Sequence, residues 1–224
     1  MTLTPANLLR ALALFALAAA WAWLAHQGSA GEGNPDFAAA LAALPVVAIV
    51  VMLLWRVRNP LWIAGGGLAV LGLLAWLWPA LRHNVALLYY IQHLGTNLAL
   101  AILFGHSLFG PREALVTQFS RKAHGGVISA AKADYTRQVT IAWSIFFITT
   151  ALLSTALFWL APPAVWSVFA NLLTLPLIGL MFAVEYCFRW RVLSPADRST
   201  IADTIRGYRA AMRQRHADNL ARRP

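Results

Sequence analysis

The chain has 224 residues, of which 60% are hydrophobic and only 12% charged, whereas about a quarter of a soluble domain carries charge. A soluble fold of this length has no way to bury so much apolar surface, so a soluble enzyme is excluded and a bilayer is the fitting solvent. The net charge of +10 comes without a zinc-finger or RNP-type signature. It reads as membrane-side charge facing anionic lipid rather than as a nucleic-acid surface.

A spanning helix needs about 20 apolar residues. In chain order the sequence predicts spans over Leu8–Leu24, Phe37–Trp55, Leu61–Trp78, Val85–Phe109, Val139–Leu160 and Ala164–Phe188. Their expected stops are Gln27-Gly28-Ser29, then Arg56, Arg58 and Pro60, then Pro79 and Arg82, then Gly110-Pro111, and then Pro162-Pro163. Many of the tryptophans, Trp21, Trp55, Trp78 and Trp159 among them, stand near the ends of these runs, where amphipathic rings gather at the headgroup level. The fold class expected is all-α: a polytopic bundle of six transmembrane helices over residues 1–188, with a cytoplasmic loop over 110–138 and a tail over 189–224.

Orientation follows from charge. With the N-terminus in the cytoplasm, Arg82 alone among the 18 Lys and Arg residues falls outside, which is the pattern the positive-inside rule demands. Both termini are then cytoplasmic. Arg10, the first apolar run and Gly28-Ser29-Ala30 also resemble a signal peptide, whose removal would leave five helices on the same two faces. The length of the run and bulky Trp21 and Trp23 favour an uncleaved helix. Pro45 and Pro176 are expected to kink their helices, and Gly65-Gly66-Gly67 with Gly72 to pack tightly. In the tail, Ser194 can cap a helix, and Ile201, Ile205, Tyr208 and Met212 share one stripe. Arg206, Arg209 and Arg213 fall outside that stripe, so the tail is a basic amphipathic helix suited to anionic inner-leaflet lipid.

The fourth span is the most polar. Gln92, His93, Thr96 and Asn97 lie mid-helix, with His106 near its inner end. Such groups face protein or water rather than lipid. His93 and Asn97, four apart, share a face. One reading is a polar cavity in which His93 or His106 is a base and Asn97 polarises a carbonyl. The other is hydrogen bonding between helices, with Asn171, Ser144, Thr149, Thr150 or Ser154 as partners. Glu185 is the only acid inside a span, and Arg189, four residues on, is placed for an ion pair. Arg121, Lys122 and His124 form a basic loop surface able to meet phosphate. The single cysteine, Cys187, permits no internal disulfide and reads as a buried thiol. No HExxH, CxxC, GxSxG, Walker or GxGxxG pattern is found, so no metal or cofactor is expected.

From the fourth span onward the sequence resembles a known family. The matching residues are Gln92-His93-Leu94-Gly95 with Asn97, Phe104-Gly105 with Leu108, Thr117 with Phe119, and His124-Gly125. They continue through Tyr135-Thr136-Arg137 with Val139-Thr140, Ala142-Trp143 with Phe146-Phe147, Trp166-Ser167 with Phe169-Ala170-Asn171, Pro176-Leu177 and Glu185-Tyr186. The stretch Tyr89–Arg191 is similar to bacterial inner-membrane proteins encoded beside type II fatty-acid-synthase-like gene sets, which make aryl polyene and xanthomonadin-type lipids. Some members carry the label ketosynthase, but that chemistry needs an active-site cysteine in a soluble fold, which Cys187 does not provide. The resemblance implies an accessory or anchoring role in polyene-lipid synthesis, with acidic acyl carrier protein or other soluble synthase components as partners. A small intramembrane acyltransferase and a lipid or small-molecule transporter are the alternatives.

Overall fold

The computed structural model describes residues 5–55, 60–123, 126–194 and 197. Every regular element among them is helical: α1 Pro5–Ala30, α2 Pro35–Trp55, α3 Pro60–His83, α4 Val85–His106, α5 Leu115–Ala123, α6 Ala130–Leu160 and α7 Pro163–Ser167. A π-helical turn, Val168–Leu173, then leads into α8, Thr174–Val192. Among the described residues six segments are long and apolar enough to cross a membrane, the last being Pro163–Val192 taken as one run. The chain is a multi-pass, all-α membrane protein. The basic tail helix expected from Ser194 onward lies outside the described residues.

The helices differ from the predicted spans mainly at their ends, and each difference has a local cause. Helix α1 runs through Gln27-Gly28-Ser29 because the Ser29 hydroxyl donates back to the Ala25 carbonyl at 2.7 Å, so it no longer competes for the helix backbone. The helix stops instead at Gly31, whose φ of 86° and the Glu32 N–H bond to the Gln27 carbonyl (2.8 Å) make a Schellman cap. Asn34 then caps α2, its Oδ1 accepting from the Asp36 amide at 2.8 Å, with Pro35 at the first helical position. Helix α3 continues past Pro79 to His83. There Trp78 donates to Asp36 at 2.9 Å, which pins the turn that Pro79 weakens. Helix α4 ends at His106 rather than Phe109, where the chain tightens into i→i+3 bonds at Leu108 and Phe109. Helix α6 starts at Ala130, capped by Ser129 on the Lys132 amide (3.1 Å). Its 31 residues reach roughly 46 Å at 1.5 Å per residue, beyond a hydrocarbon core of about 30 Å.

Pro176 does not produce a simple kink. It lacks the N–H that the Leu172 carbonyl would accept, and the turn before it opens into the π form. The Thr174 hydroxyl donates to the Phe169 carbonyl at 3.0 Å, which uses one of the acceptors freed by the widened turn.

The structure divides into two compact units. The first draws on residues up to Gly95 together with Leu152–Pro176. Its core is built from Ala25, Ala38, Ala39 and Ala42 beside Tyr89, Tyr90 and Trp166. Small residues let the α1 and α2 backbones approach without a methylene between them. Trp166 is fully buried, edge-on to Phe158 (5.2 Å, 81°), while Phe158 stacks on Tyr90 (4.1 Å, 10°). The glycines of α3 do not all pack. A Cβ on Gly66 would meet Leu54 of α2, but Gly65, Gly67 and Gly72 have nothing within 4 Å among the described residues.

The second unit holds Thr96–Ala151 and the described residues from Leu177 onward. Ala101, Tyr135, Val139, Trp143, Phe147 and Leu193 form its core. Helix α5 docks on α6 through the Thr117 and Thr136 hydroxyls (2.8 Å) and the Val116 amide on Thr140 (3.2 Å).

Candidate functional site

The polar residues of the first unit fall into two hydrogen-bonded groups. In the first, Ser167 of α7 lies 2.6 Å from His26 Nδ1 and 2.8 Å from the Ser29 hydroxyl, and it is also 2.9 Å from the His26 carbonyl. Asn171, on the π turn, donates through Nδ2 to Ser29 at 2.8 Å and to Ser167 at 3.3 Å. Each serine has one proton to give. Ser29 has its nearest acceptor in the Ala25 carbonyl, and the 2.6 Å contact is bridged by one proton, carried by Ser167 Oγ or by His26 Nδ1 according to the imidazole tautomer.

The second group centres on His93. Its Nδ1 is 3.0 Å from Ser154 Oγ and its Nε2 is 3.1 Å from Thr174 Oγ1. Trp166 donates its indole N–H to Ser154 at 3.1 Å, and Thr174 donates to Phe169. One assignment satisfies the whole chain: Trp166 gives to Ser154, Ser154 to His93 Nδ1, His93 Nε2–H to Thr174, and Thr174 to the Phe169 carbonyl. Every proton in it has a protein acceptor. Phe169 also meets the imidazole edge-on at 6.0 Å.

The predicted polar stripe of α4 is therefore split. Gln92 donates to the Ala42 carbonyl at 2.8 Å, while Thr96, one turn on, is exposed. Asn97 is buried, at 5% exposure, and His106 is exposed at the last residue of the helix. Asn171 joins Ser29 and Ser167 rather than the α4 residues. The sequence reading missed His26, Ser29, Ser167 and Thr174. Two spacings carried the signal: His26 with Ser29 at i,i+3 and Ser167 with Asn171 at i,i+4 each set two polar side chains on one face of an apolar helix.

Beside the first group lies a crevice of about 480 Å³ lined by Leu14, Leu17, Trp21 and Ala25 of α1, and by Asn171 and Thr174. A second cavity of about 360 Å³ lies at the α1–α2 turn, with Ser29, Glu32, Arg82 and Asn84 on its wall.

In the second unit Arg189 grips Glu185 through two nitrogens, with Nη2 2.7 Å from Oε2 and Nε 3.0 Å from Oε1. The Tyr135 hydroxyl lies 2.9 Å from the Glu185 carbonyl oxygen and 3.0 Å from its Oε1. The carboxylate is 9% exposed, and this cage of donors makes that burial tolerable. Arg121 folds back onto Glu113, with Nε 2.8 Å from Oε2, and Lys122 is exposed. Hydrogen bonding from Arg121 holds the Glu113 carboxyl below the usual carboxylate range. Hydrogen bonds from Ser129 and Ser194 do the same for Asp197. His124, Arg206, Arg209 and Arg213 lie outside the described residues. Cys187 is exposed rather than buried. Among the described residues no three His, Cys, Asp or Glu side chains are grouped to hold a metal ion. Comparison of the chain with protein-family models, with curated proteins and with solved structures finds no match.

Proposed function

We propose that this protein is a non-enzymatic accessory of acyl-carrier-dependent lipid synthesis, of the polyene-lipid type its sequence resembles. It sits in a bacterial inner membrane with both termini in the cytoplasm and holds soluble synthase components, acyl carrier protein among them, at the membrane surface. The observation that carries the non-enzymatic part is the closed hydrogen-bond chain through His93. Both ring nitrogens face hydroxyl groups of neighbouring helices, so the imidazole is occupied as a helix-joining group. His106, the other candidate base, stands exposed at a helix end.

The partner side of the reading rests on charge. Arg112, Lys122 and Arg137 stand exposed between or beside the ends of α4 and α6, and Arg191 at the end of α8. The positive-inside rule gathers all of these on the cytoplasmic side. Acyl carrier proteins are acidic, and opposite charge steers such encounters. Charge reversal of Arg206, Arg209 and Arg213 is expected to release synthase components from the membrane fraction, while the protein itself stays membrane-bound. Unchanged co-fractionation in that variant would remove the anchoring role.

A further inference from the structure

We propose that the crevice beside Asn171 is a binding site for a long-chain alcohol, a single apolar chain whose hydroxyl donates to Asn171 Oδ1. The proposal is independent of the accessory role and concerns the first unit alone.

Shape supports it first. Leu14, Leu17, Ala18, Trp21, Ala22 and Ala25 recur along one face of α1, and Ala170, Asn171, Thr174 and Leu175 complete the lining. The alanines leave room that larger side chains would fill. From Leu14 to Ala25 the crevice follows α1 for roughly 16 Å at 1.5 Å per residue, about half of a hydrocarbon core of ~30 Å. That is the depth of one leaflet, so the space of about 480 Å³ suits one chain lying along the helix.

Hydrogen bonding fixes the chemistry of the head. The Asn171 amide nitrogen is already engaged with Ser29 and Ser167, and no described residue donates to its oxygen. Flipping the amide would aim that oxygen at two hydroxyls whose protons have nearer carbonyl acceptors, at 2.7 Å for Ser29 and 2.9 Å for Ser167. Thr174 is no alternative acceptor of first resort, because it already receives His93 and gives to Phe169. An acceptor left alone against hydrocarbon is costly. A hydroxyl on a chain lying in the crevice satisfies it. Ester-linked membrane lipids offer only acceptors in their carbonyl region and leave the amide oxygen unpaired, so the crevice discriminates between two chains of equal length.

The test uses the full-length protein in nanodiscs of ester phospholipid. The probe is a fatty alcohol carrying a diazirine on its chain, compared with its methyl ether. The alcohol is expected to label peptides containing Trp21 or Leu175 saturably, three- to tenfold above the ether, the range one net hydrogen bond supplies. Asn171→Leu is expected to lower alcohol labelling to the level of the ether. Because that change also removes the bonds to Ser29 and Ser167, a second variant, Ala22→Phe, fills the crevice while leaving Asn171 intact, and is expected to abolish saturable labelling by both probes. Equal labelling by alcohol and ether, labelling that rises without saturation as for bulk lipid, no labelling, or labelling unaffected by Ala22→Phe would each overturn the site.

Discussion

His93 and Thr174 are joined across the first unit by a 3.1 Å contact between Nε2 and Oγ1, and the same threonine bonds the carbonyl of Phe169 five residues behind it. The π turn and the histidine are thus parts of one device. The wide turn frees a carbonyl, the threonine takes it, and the imidazole takes the threonine. Removing the hydroxyl with Thr174→Val leaves both a carbonyl and an imidazole N–H without that partner. Interhelical hydrogen bonds in membranes are worth about 0.6 kcal/mol on average and up to about 1.7. Thr174→Val is therefore expected to cost about 1–2 kcal/mol, and His93→Ala somewhat more because it also leaves a void. Reversible unfolding in mixed micelles reads this directly. Under the accessory reading lipid product still forms in His93→Ala once protein abundance is matched. Loss of product at matched abundance would restore His93 as a catalytic group.

Adjacent tyrosines of α4 make a contrasting pair. The Tyr90 hydroxyl donates to Thr155 at 3.1 Å. The Tyr89 hydroxyl is buried and has no hydrogen-bond partner among the described residues, and an unsatisfied buried polar group costs about 1–3 kcal/mol. Tyr89→Phe is therefore expected to leave stability unchanged or raise it by up to about 1 kcal/mol. Tyr90→Phe is expected to lower it by about 0.5–1.5 kcal/mol. The same unfolding measurement separates them, and a loss from Tyr89→Phe as large as that from Tyr90→Phe would show that Tyr89 has a partner, such as an enclosed water.

Much of the architecture was legible in the sequence, because a membrane span needs only length and apolar composition, and six such runs stand out. The ends were less legible, because capping decides them. Ser29 and Pro79 both look like stops, yet Ser29 turns its hydroxyl onto its own helix and Pro79 is carried through beside the anchored Trp78. The polar site was legible by residue type but not by grouping. His93 and Asn171 both stood out as polar residues in apolar runs, and the structure places them in separate hydrogen-bonded groups. Which groups form depends on how α1 meets α7, a relationship between distant segments that periodicity along one helix cannot carry.

The approach of α1 to α2 likewise sets the tolerance of Gly28, for which Gly95 of α4 is the contrast. A Cβ on Gly28 would lie 2.7 Å from the Cβ of Ala38, an atom fixed to the α2 backbone and unable to swing away. Gly95 has nothing within 4 Å among the described residues. Gly28→Ala is expected to push α1 from α2 and cost about 1–3 kcal/mol, the usual penalty of overpacking. Gly95→Ala is expected to be neutral or to stabilise by up to about 1 kcal/mol, since alanine restricts the unfolded chain and favours the helix. A heat-aggregation profile of the two variants in one detergent gives the comparison, and equal melting temperatures would refute the close α1–α2 approach.

The loop between α4 and α6 should respond to acid through Glu113 and Arg121. The arginine hydrogen bond holds the Glu113 carboxyl below its ordinary value, so the folded loop favours the charged form. A depressed carboxyl contributes stability that is fully present above the unfolded value, about 4.3, and is lost as pH falls through the lower, folded value. Amide exchange over Leu115–Ala123, corrected for the intrinsic pH dependence of exchange, is therefore expected to stay flat from neutral pH down to about pH 5. Protection should then fall only in more acidic solution than ordinary glutamate titration requires. The pair is solvent-exposed, so salt should weaken its effect. Glu113→Gln is expected to reduce protection at neutral pH and to remove the acid step. An acid step that survives in Glu113→Gln would assign it to another carboxyl, with Asp197 the first to replace, because its own value is lowered by Ser129 and Ser194.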